Sequence, residues 1–519
     1  MKRLIVSLLL TMLPLAAQTS SLQGVVTDAQ GAVVPAAAIT VTNTETNTPR
    51  SSLTDESGKY SLLQMPPGSY KMQVQAPGFS VFSSEIRLQI NTPTTLNVKL
   101  ELGQTTETVN VTAEAVAINT QDATVGNPFT ELQIKAIPLQ TRNVVELLSV
   151  QPGVSSTGQV LGARPDQNNV VLDGADVNDN QGADGFKAVL PIPLDSVQEF
   201  RTTIAGQGAD LGHSAGGQVS IVTKGGSNAF HGSLYEYNRN TLFEANDWFN
   251  NRAGVARPAL VRNQYGGSIG GPILKNRLFF FYNWEGRKDR SATPKTATVP
   301  SESFKTGVVN VLLKSGQTVT MNSAAIAQVD PLHIGANPFI LGLMKQYPVG
   351  NNPLGASDKG LNFNQLLFNA PNVLNNHAQV AKLDYNLDSA GKHTLMVRGT
   401  LNGASSPPTG TAGLAQFPGQ AASQTQLDNS RGLAGRYTAV FNAHTVNVFN
   451  YGYTRLGTAT TGTQNVIPSF GFTTLQPTTR PSSRIAPTHL LSDDITWTAG
   501  RHSVQGGFAF RYNENLRLA

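Results

Sequence analysis

The 519-residue sequence contains no cysteine. That single absence excludes disulfide staples, thiolate metal ligands and cysteine nucleophiles. Beyond the first few residues, no apolar run approaches the roughly 18–20 residues of a helical membrane span. Only 39% of the residues are hydrophobic, and patterns of helical period are scarce, so the chain is expected to be mainly β. Charge is sparse as well: the net +5 is spread along the chain rather than clustered. A nucleic-acid binder concentrates its Lys and Arg, so no nucleic-acid partner is expected. The eight His residues show no ligand spacing, which leaves no candidate metal site. Two G-x-S-x-G matches occur, at 212–216 and 266–270. Neither has the buried strand before the Ser and the helix after it that a nucleophile elbow requires. No catalytic residue, no cofactor and no enzymatic activity are expected.

What is present begins with a sorting signal. Lys2 and Arg3 precede the apolar run 4–13, and small residues follow up to Ala17. This is the layout of a secretory signal peptide, cut after Ala17 and too short to span a bilayer. Residues 21–101 then alternate in short runs (24–26, 38–41, 60–63, 70–74, 95–100) separated by turn signals at 28–31, 55–58, 66–68 and 77–78. Such spacing predicts a small β-sandwich. Glu107, Thr108, Val109, Asn110, Val111, Thr112 and Ala113 form a short β-prone segment among polar residues. It suits addition as an edge strand to a partner's sheet, or an ordinary linker strand. Residues 120–228 read as an α+β module. A helix pattern starts near Pro128 with Phe129, Leu132 and Ala136 on one face, a second covers 143–148, and strands are expected at 169–172 and 218–222. Asp173, Asp176, Asn178 and Asp179 crowd together but lack Ca²⁺-loop spacing, so they are expected to form a solvated turn.

From residue 229 onward a period of two takes over, with strands expected near 229–239, 262–272, 277–287, 374–386, 392–402, 432–442, 444–457, 486–498 and 502–513. In the last, Val504, Gly506, Phe508, Phe510 and Tyr512 share one face, while Ser503, Gln505, Gly507, Ala509 and Arg511 share the other. Connections alternate between long (240–261, 288–373, 403–431, 458–485) and short (273–276, 387–391, 443, 499–501). Strands of about ten residues, with one apolar face and alternating loop lengths, predict an outer-membrane barrel. The aromatic run 277–285 is expected to face lipid, with its rings at the membrane interface.

The stretches GVVTD (24–28), GAVVPAAAITVTN (31–43), TDESGKYS (54–61), PPGSY (66–70) and APGF (76–79) resemble the carboxypeptidase regulatory-like domain. That resemblance implies a prealbumin-type sandwich with a carbohydrate-binding-like fold, serving as a spacer or as a sugar binder. With Ala163-Arg164, VLDG (171–174), DSVQEFR (195–201), GHSAGG (212–217), VTKGGSNAFHG (222–232), NQYGGSIGGP (263–272), KLDY (382–385) and GRHS (500–503), the whole chain resembles a TonB-dependent receptor of the Oar-like type. The resemblance implies a signal peptide (1–17), the sandwich (18–102), a linker with a TonB-box-like segment (103–119), a plug (120–228) and the N-terminal part of a transmembrane barrel (229–519). Residues 107–113 would be the TonB box, and Arg164, Asp173 and Gly174 would belong to the plug motif. Implied partners are TonB with its inner-membrane energising complex, outer-membrane lipid and an extracellular ligand of glycan, peptide or siderophore class. The implied location is the outer membrane, with the sandwich in the periplasm. A structural, adhesion or glycan-binding role without transport is the alternative reading. Barrels of this class close with about 22 strands, so a chain with nine is expected to be a fragment or a truncated gene product.

Overall fold

The computed structural model describes residues 18–103, 108–110, 123–139, 142–179, 188–207, 212, 214–252, 256–408, 411, 413–464, 470, 472–499 and 502–518. Strands dominate and fall into three groups in chain order. The first group is β1 (Ser20–Thr27), β2 (Ala38–Asn43), β3 (Pro49–Leu53), β4 (Lys59–Met65), β5 (Gly68–Gln75), β6 (Val81–Leu88), β7 (Pro93–Thr95), β8 (Val98–Lys99) and β9 (Thr108–Asn110). One sheet runs β4-β1-β7, with β8 also on β1, and the other runs β3-β2-β5-β6-β9. Alternation puts Leu22, Val26, Ile39, Val41, Met72 and Val74 between the two sheets. The buried Tyr60 hydroxyl is satisfied by donating to the Leu96 carbonyl at 2.7 Å. β3 and β6 were not legible beforehand. β3 reads PRSSL, with no apolar face, and β6 carries two serines where it is buried.

The middle group is β10 (Pro128–Thr130), β11 (Asn169–Leu172), β12 (Ala175–Asp176), β13 (Val197–Thr203) and β14 (Gln218–Thr223), in the order β10-β13-β14-β11-β12. β14, with a neighbour on each side, is buried along its whole length. The helix expected from Pro128 spans only Glu131–Ala136. Its buried residue is Ile134, whereas Leu132 is 81% exposed. Residues 128–130 are extended instead, and Phe129 stacks at a tilt on Phe200, 6.0 Å between ring centres. Starting the helix three residues late rotates its inner face, which corrects the expected pattern.

The third group is β15 (His231–Asn240), β16 (Leu260–Leu274), β17 (Leu278–Pro300), β18 (Val309–Leu312), β19 (Thr318–Met321), β20 (Phe363–Asn386), β21 (His393–Ser406), β22 (Gln424–Asp428), β23 (Arg431–Asn442), β24 (Thr445–Gly462), β25 (Ser482–Ala499), β26 (His502–Asn513) and β27 (Leu516–Leu518). Apart from the separate hairpin β18–β19, these strands form one antiparallel meander. All nine strands read from the sequence are here, but several run further. β17 and β20 pair without a break from Leu278↔Tyr385 to Pro300↔Phe363, through residues expected to be loop. Those extensions lack one consistently apolar face, so they carry no period-two signal.

The pairing sets the two faces of the sheet. Leu383, Val397, Leu433 and Phe510 lie on the apolar face, while Lys382, Arg398, Arg436 and Arg511 lie on the opposite one. The latter side holds the middle group, and is therefore the lumen. In 277–285 three of the five aromatics face outward: Phe280, Tyr282 and Trp284 do, whereas Phe279 and Phe281 are buried inside. Period two divides an aromatic run between both faces, which corrects the all-lipid reading.

Candidate functional site

The Val-Leu-Asp-Gly segment makes a tight turn in the middle group. Val171 pairs with Asp176 and Leu172 with Ala175, leaving Asp173 and Gly174 as a two-residue loop. Their φ angles are 48° and 87°, the left-handed pair of a type I′ turn, for which Asp-Gly is a favoured sequence. The Asp173 carboxylate accepts from the Thr223 backbone N–H (3.0 Å) and hydroxyl (2.7 Å). Across the lumen wall, Arg398 Nε lies 3.2 Å from Asp173 Oδ2. A second Arg398 nitrogen donates to the Leu172 carbonyl at 3.0 Å, and Lys382 Nζ donates to the Thr223 carbonyl at 2.9 Å.

The wall continues to hold the chain beyond the turn. Arg511 pairs with Asp176 at 2.6 Å, and the Thr454 hydroxyl donates to the Asp176 carbonyl at 2.6 Å. Arg484 makes a bidentate pair with Asp179 at 2.7 and 3.0 Å. The Gln18 side chain braces the turn from the other side, accepting from the Gly174 N–H at 3.0 Å and donating to the Val171 carbonyl at 2.9 Å.

These carboxylates are not the solvated turn that the sequence suggested. Asp173 is 3% exposed and Arg398 is fully buried. Burial would raise the Asp173 carboxyl pKa, but Lys382, Arg398 and the two Thr223 bonds outweigh it and hold the group below its ordinary value. The arrangement has the chemistry of a clamp. It holds an acidic hairpin against a basic wall, and breaking it strands charges in a buried place. Gly452 makes the close approach possible, since a Cβ there would lie 2.8 Å from the Ala175 Cα. Gly452→Val is expected to push the hairpin off its seat and to destabilise the protein by about 1–3 kcal/mol in thermal unfolding.

A second seam joins the sandwich to the middle group. The Ile90 N–H donates to Glu199 Oε2 at 2.9 Å, Arg201 donates to the Ile90 carbonyl at 3.1 Å and to the Thr92 hydroxyl, and Asn91 donates to Ser220 Oγ at 3.1 Å. Burial pushes the Glu199 carboxyl up to about 7.

Of the residues singled out beforehand, Asp173 and Gly174 meet in the clamp and Arg164 does not. Arg164 is exposed and pairs with its neighbour Asp166 at 2.9 Å. Of the TonB-box-like segment, Thr108–Asn110 forms β9, paired in parallel with Val81–Ser83 of β6. Glu107, Val111, Thr112 and Ala113 lie outside the described residues. Ser214, the first elbow candidate, donates to the Gln167 carbonyl at 2.7 Å. Sequence reasoning missed Arg398, Arg436 and Arg484. The only signal for Arg398 and Arg436 was a cation on the polar face of an expected strand, and Arg484 fell in the expected loop 458–485.

The family model described as an outer membrane beta barrel domain matches residues 222–518, and that of the carboxypeptidase regulatory-like domain matches residues 21–101. The TonB-dependent transporter Oar of Myxococcus xanthus is 30% identical over 286 residues, covering 51% of this chain and 26% of that protein. The chain thus matches about a quarter of that relative's length. Among solved structures, the outer membrane transporter YddB of Escherichia coli aligns with a TM-score of 0.46 at 13% identity, over 75% of this chain and 48% of that one. A mutant of the ferric enterobactin receptor PfeA of Pseudomonas aeruginosa aligns with a TM-score of 0.44 at 12% identity, over 76% and 49%. This chain belongs to the outer membrane β-barrel family and resides in the outer membrane, with a carboxypeptidase regulatory-like domain ahead of its barrel strands.

Proposed function

We propose that the protein is an outer-membrane transporter energised by TonB. In this reading residues 120–228 are a plug, 18–102 a periplasmic sandwich, 103–119 the linker that TonB grips, and 229–519 barrel wall. The observation that carries the reading is the clamp: the acidic hairpin 173–179 sits inside a sheet whose inner face supplies Lys382, Arg398, Arg484 and Arg511. A plug held by a few polar contacts stays closed at rest, yet yields when pulled. The pull would enter through residues 107–113, whose main chain suits strand addition to TonB. The substrate crosses unmodified, as a solute of glycan, peptide or siderophore class.

Because the sequence has no cysteine, single-cysteine variants are clean probes. Val111→Cys is expected to form a disulfide with a cysteine placed in the TonB C-terminal domain in living cells, and the adduct should weaken at positions away from 107–113. If no position from 107 to 113 yields an adduct, the proposed energy coupling is wrong.

A further inference from the structure

The sandwich touches more than the middle group. Four contacts tie it to the barrel sheet on the side of the short turns. Asn47 Nδ2 donates to Asn276 Oδ1 at 3.1 Å, Asn386 Nδ2 to the Thr48 hydroxyl at 2.7 Å, and Arg50 to the Gly391 carbonyl at 3.3 Å. The fourth goes deeper: Gln64 Nε2 donates to the hydroxyl of Thr496, which faces the lumen. Gln64 has a left-handed backbone (φ 52°), which breaks the alternation of β4. Its neighbour Leu63 leaves the sandwich core and packs on Val446 and Val448 of the inner wall. The end of β4 is therefore a finger inserted into the barrel.

We propose that the sandwich is a second closure of the barrel, seated in its inner mouth beneath the plug. This goes beyond the transport reading, although it takes residues 120–228 as the plug. The seam through Glu199 and Arg201 ties the sandwich to the plug, and the four rim contacts tie it to the wall. Displacing the plug alone leaves the mouth covered, so passage requires the rim contacts to open too. The space between sandwich, middle group and wall is a cavity of about 200 Å³ lined by Gln64, Lys382, Arg436 and Thr438 among others. Thr438 is 8% exposed there.

Two measurements in isolated outer membranes test this closure, and neither needs TonB or a substrate, so failure of the transport reading leaves them intact. In the first, the pair Thr48→Cys and Asn386→Cys is expected to oxidise to a disulfide, seen as a gel shift reversed by reductant. In the second, Thr438→Cys is the only cysteine, and its reaction with a bulky maleimide is timed. Adding Arg50→Ala and Gln64→Ala is expected to speed that reaction about tenfold or more, because the Arg50 bonds to the Gly391 rim and to the Leu63 carbonyl of the finger, and the Gln64 bond to Thr496, are gone. Heat-modifiable gel mobility checks that the barrel itself stays folded. A pair that stays reduced, or a Thr438→Cys rate unchanged by the two substitutions, would overturn the proposal.

Discussion

Arg398→Ala is expected to destabilise the protein by about 3–5 kcal/mol, because it leaves the Asp173 carboxylate buried without its closest cation. Asp173 is 3% exposed, so water does not replace the lost partner. Lys382 also acts on this carboxylate, which places the expected cost toward the lower end of the range. Asp173→Asn should cost a similar amount by stranding Arg398. The double variant Asp173→Asn, Arg398→Met should recover much of the loss, since a buried pair replaced on both sides is often nearly neutral. Thermal unfolding of the purified protein in detergent reads all three. Arg164→Ala is the control: its pair with Asp166 is exposed and is worth about 0–1 kcal/mol. Equal losses for Arg398→Ala and Arg164→Ala would show that the buried pair does not clamp the hairpin.

The second large effect lies at the sandwich seam and depends on pH. The Glu199 carboxyl is raised from its ordinary 4.5 to about 7, chiefly by burial, while the Ile90 N–H, Arg87 and Arg201 pull the other way. The folded state therefore holds a proton that the unfolded state has already released between about pH 4.5 and 7. With more protons bound to the folded form, stability falls as pH rises through that window. The contribution is fully present below about 4.5 and lost above about 7, a swing of about 3 kcal/mol. Glu199→Gln imitates the protonated acid, keeps an acceptor for the Ile90 N–H, and is expected to flatten the profile. The variant should be more stable than the native protein at pH 8 and close to it at pH 4.5. Unfolding midpoints across pH 4.5–8 check this, and parallel profiles for the two proteins would contradict it.

Much of the fold was legible because period two survives wherever one face is lipid or core and the other is lumen. That held for all nine barrel strands and for β1, β2, β4 and β5 of the sandwich. It failed where neither face is consistently apolar, as in 288–300 and 363–373, and where buried positions are serines, as in β6. The site was half legible. Asp-Gly at 173–174 announces its own turn through φ, a local property. What surrounds that turn is not local, because Arg398 lies 225 residues away from Asp173 and reaches it only through strand register. The acidic segment therefore read as solvated, and nothing local marked Arg398, or Arg484 in the expected loop 458–485, as its partners. The TonB-box-like segment was read from β-propensity and from its resemblance to a TonB box, and its residues Thr108–Asn110 form a strand on the sandwich's own β6.

In the transport reading, energised pulling releases the hairpin from the wall. Asn450, 3% exposed on the lumen face beside Arg436, reports on that space once replaced by cysteine. In cells supplied with a complex medium, Asn450→Cys should react with an impermeant maleimide faster when the proton gradient is intact. An uncoupler, or loss of TonB, should return the rate to its resting value. Labelling that ignores both the gradient and TonB would contradict the claim, and would leave the clamp as a purely structural fastening.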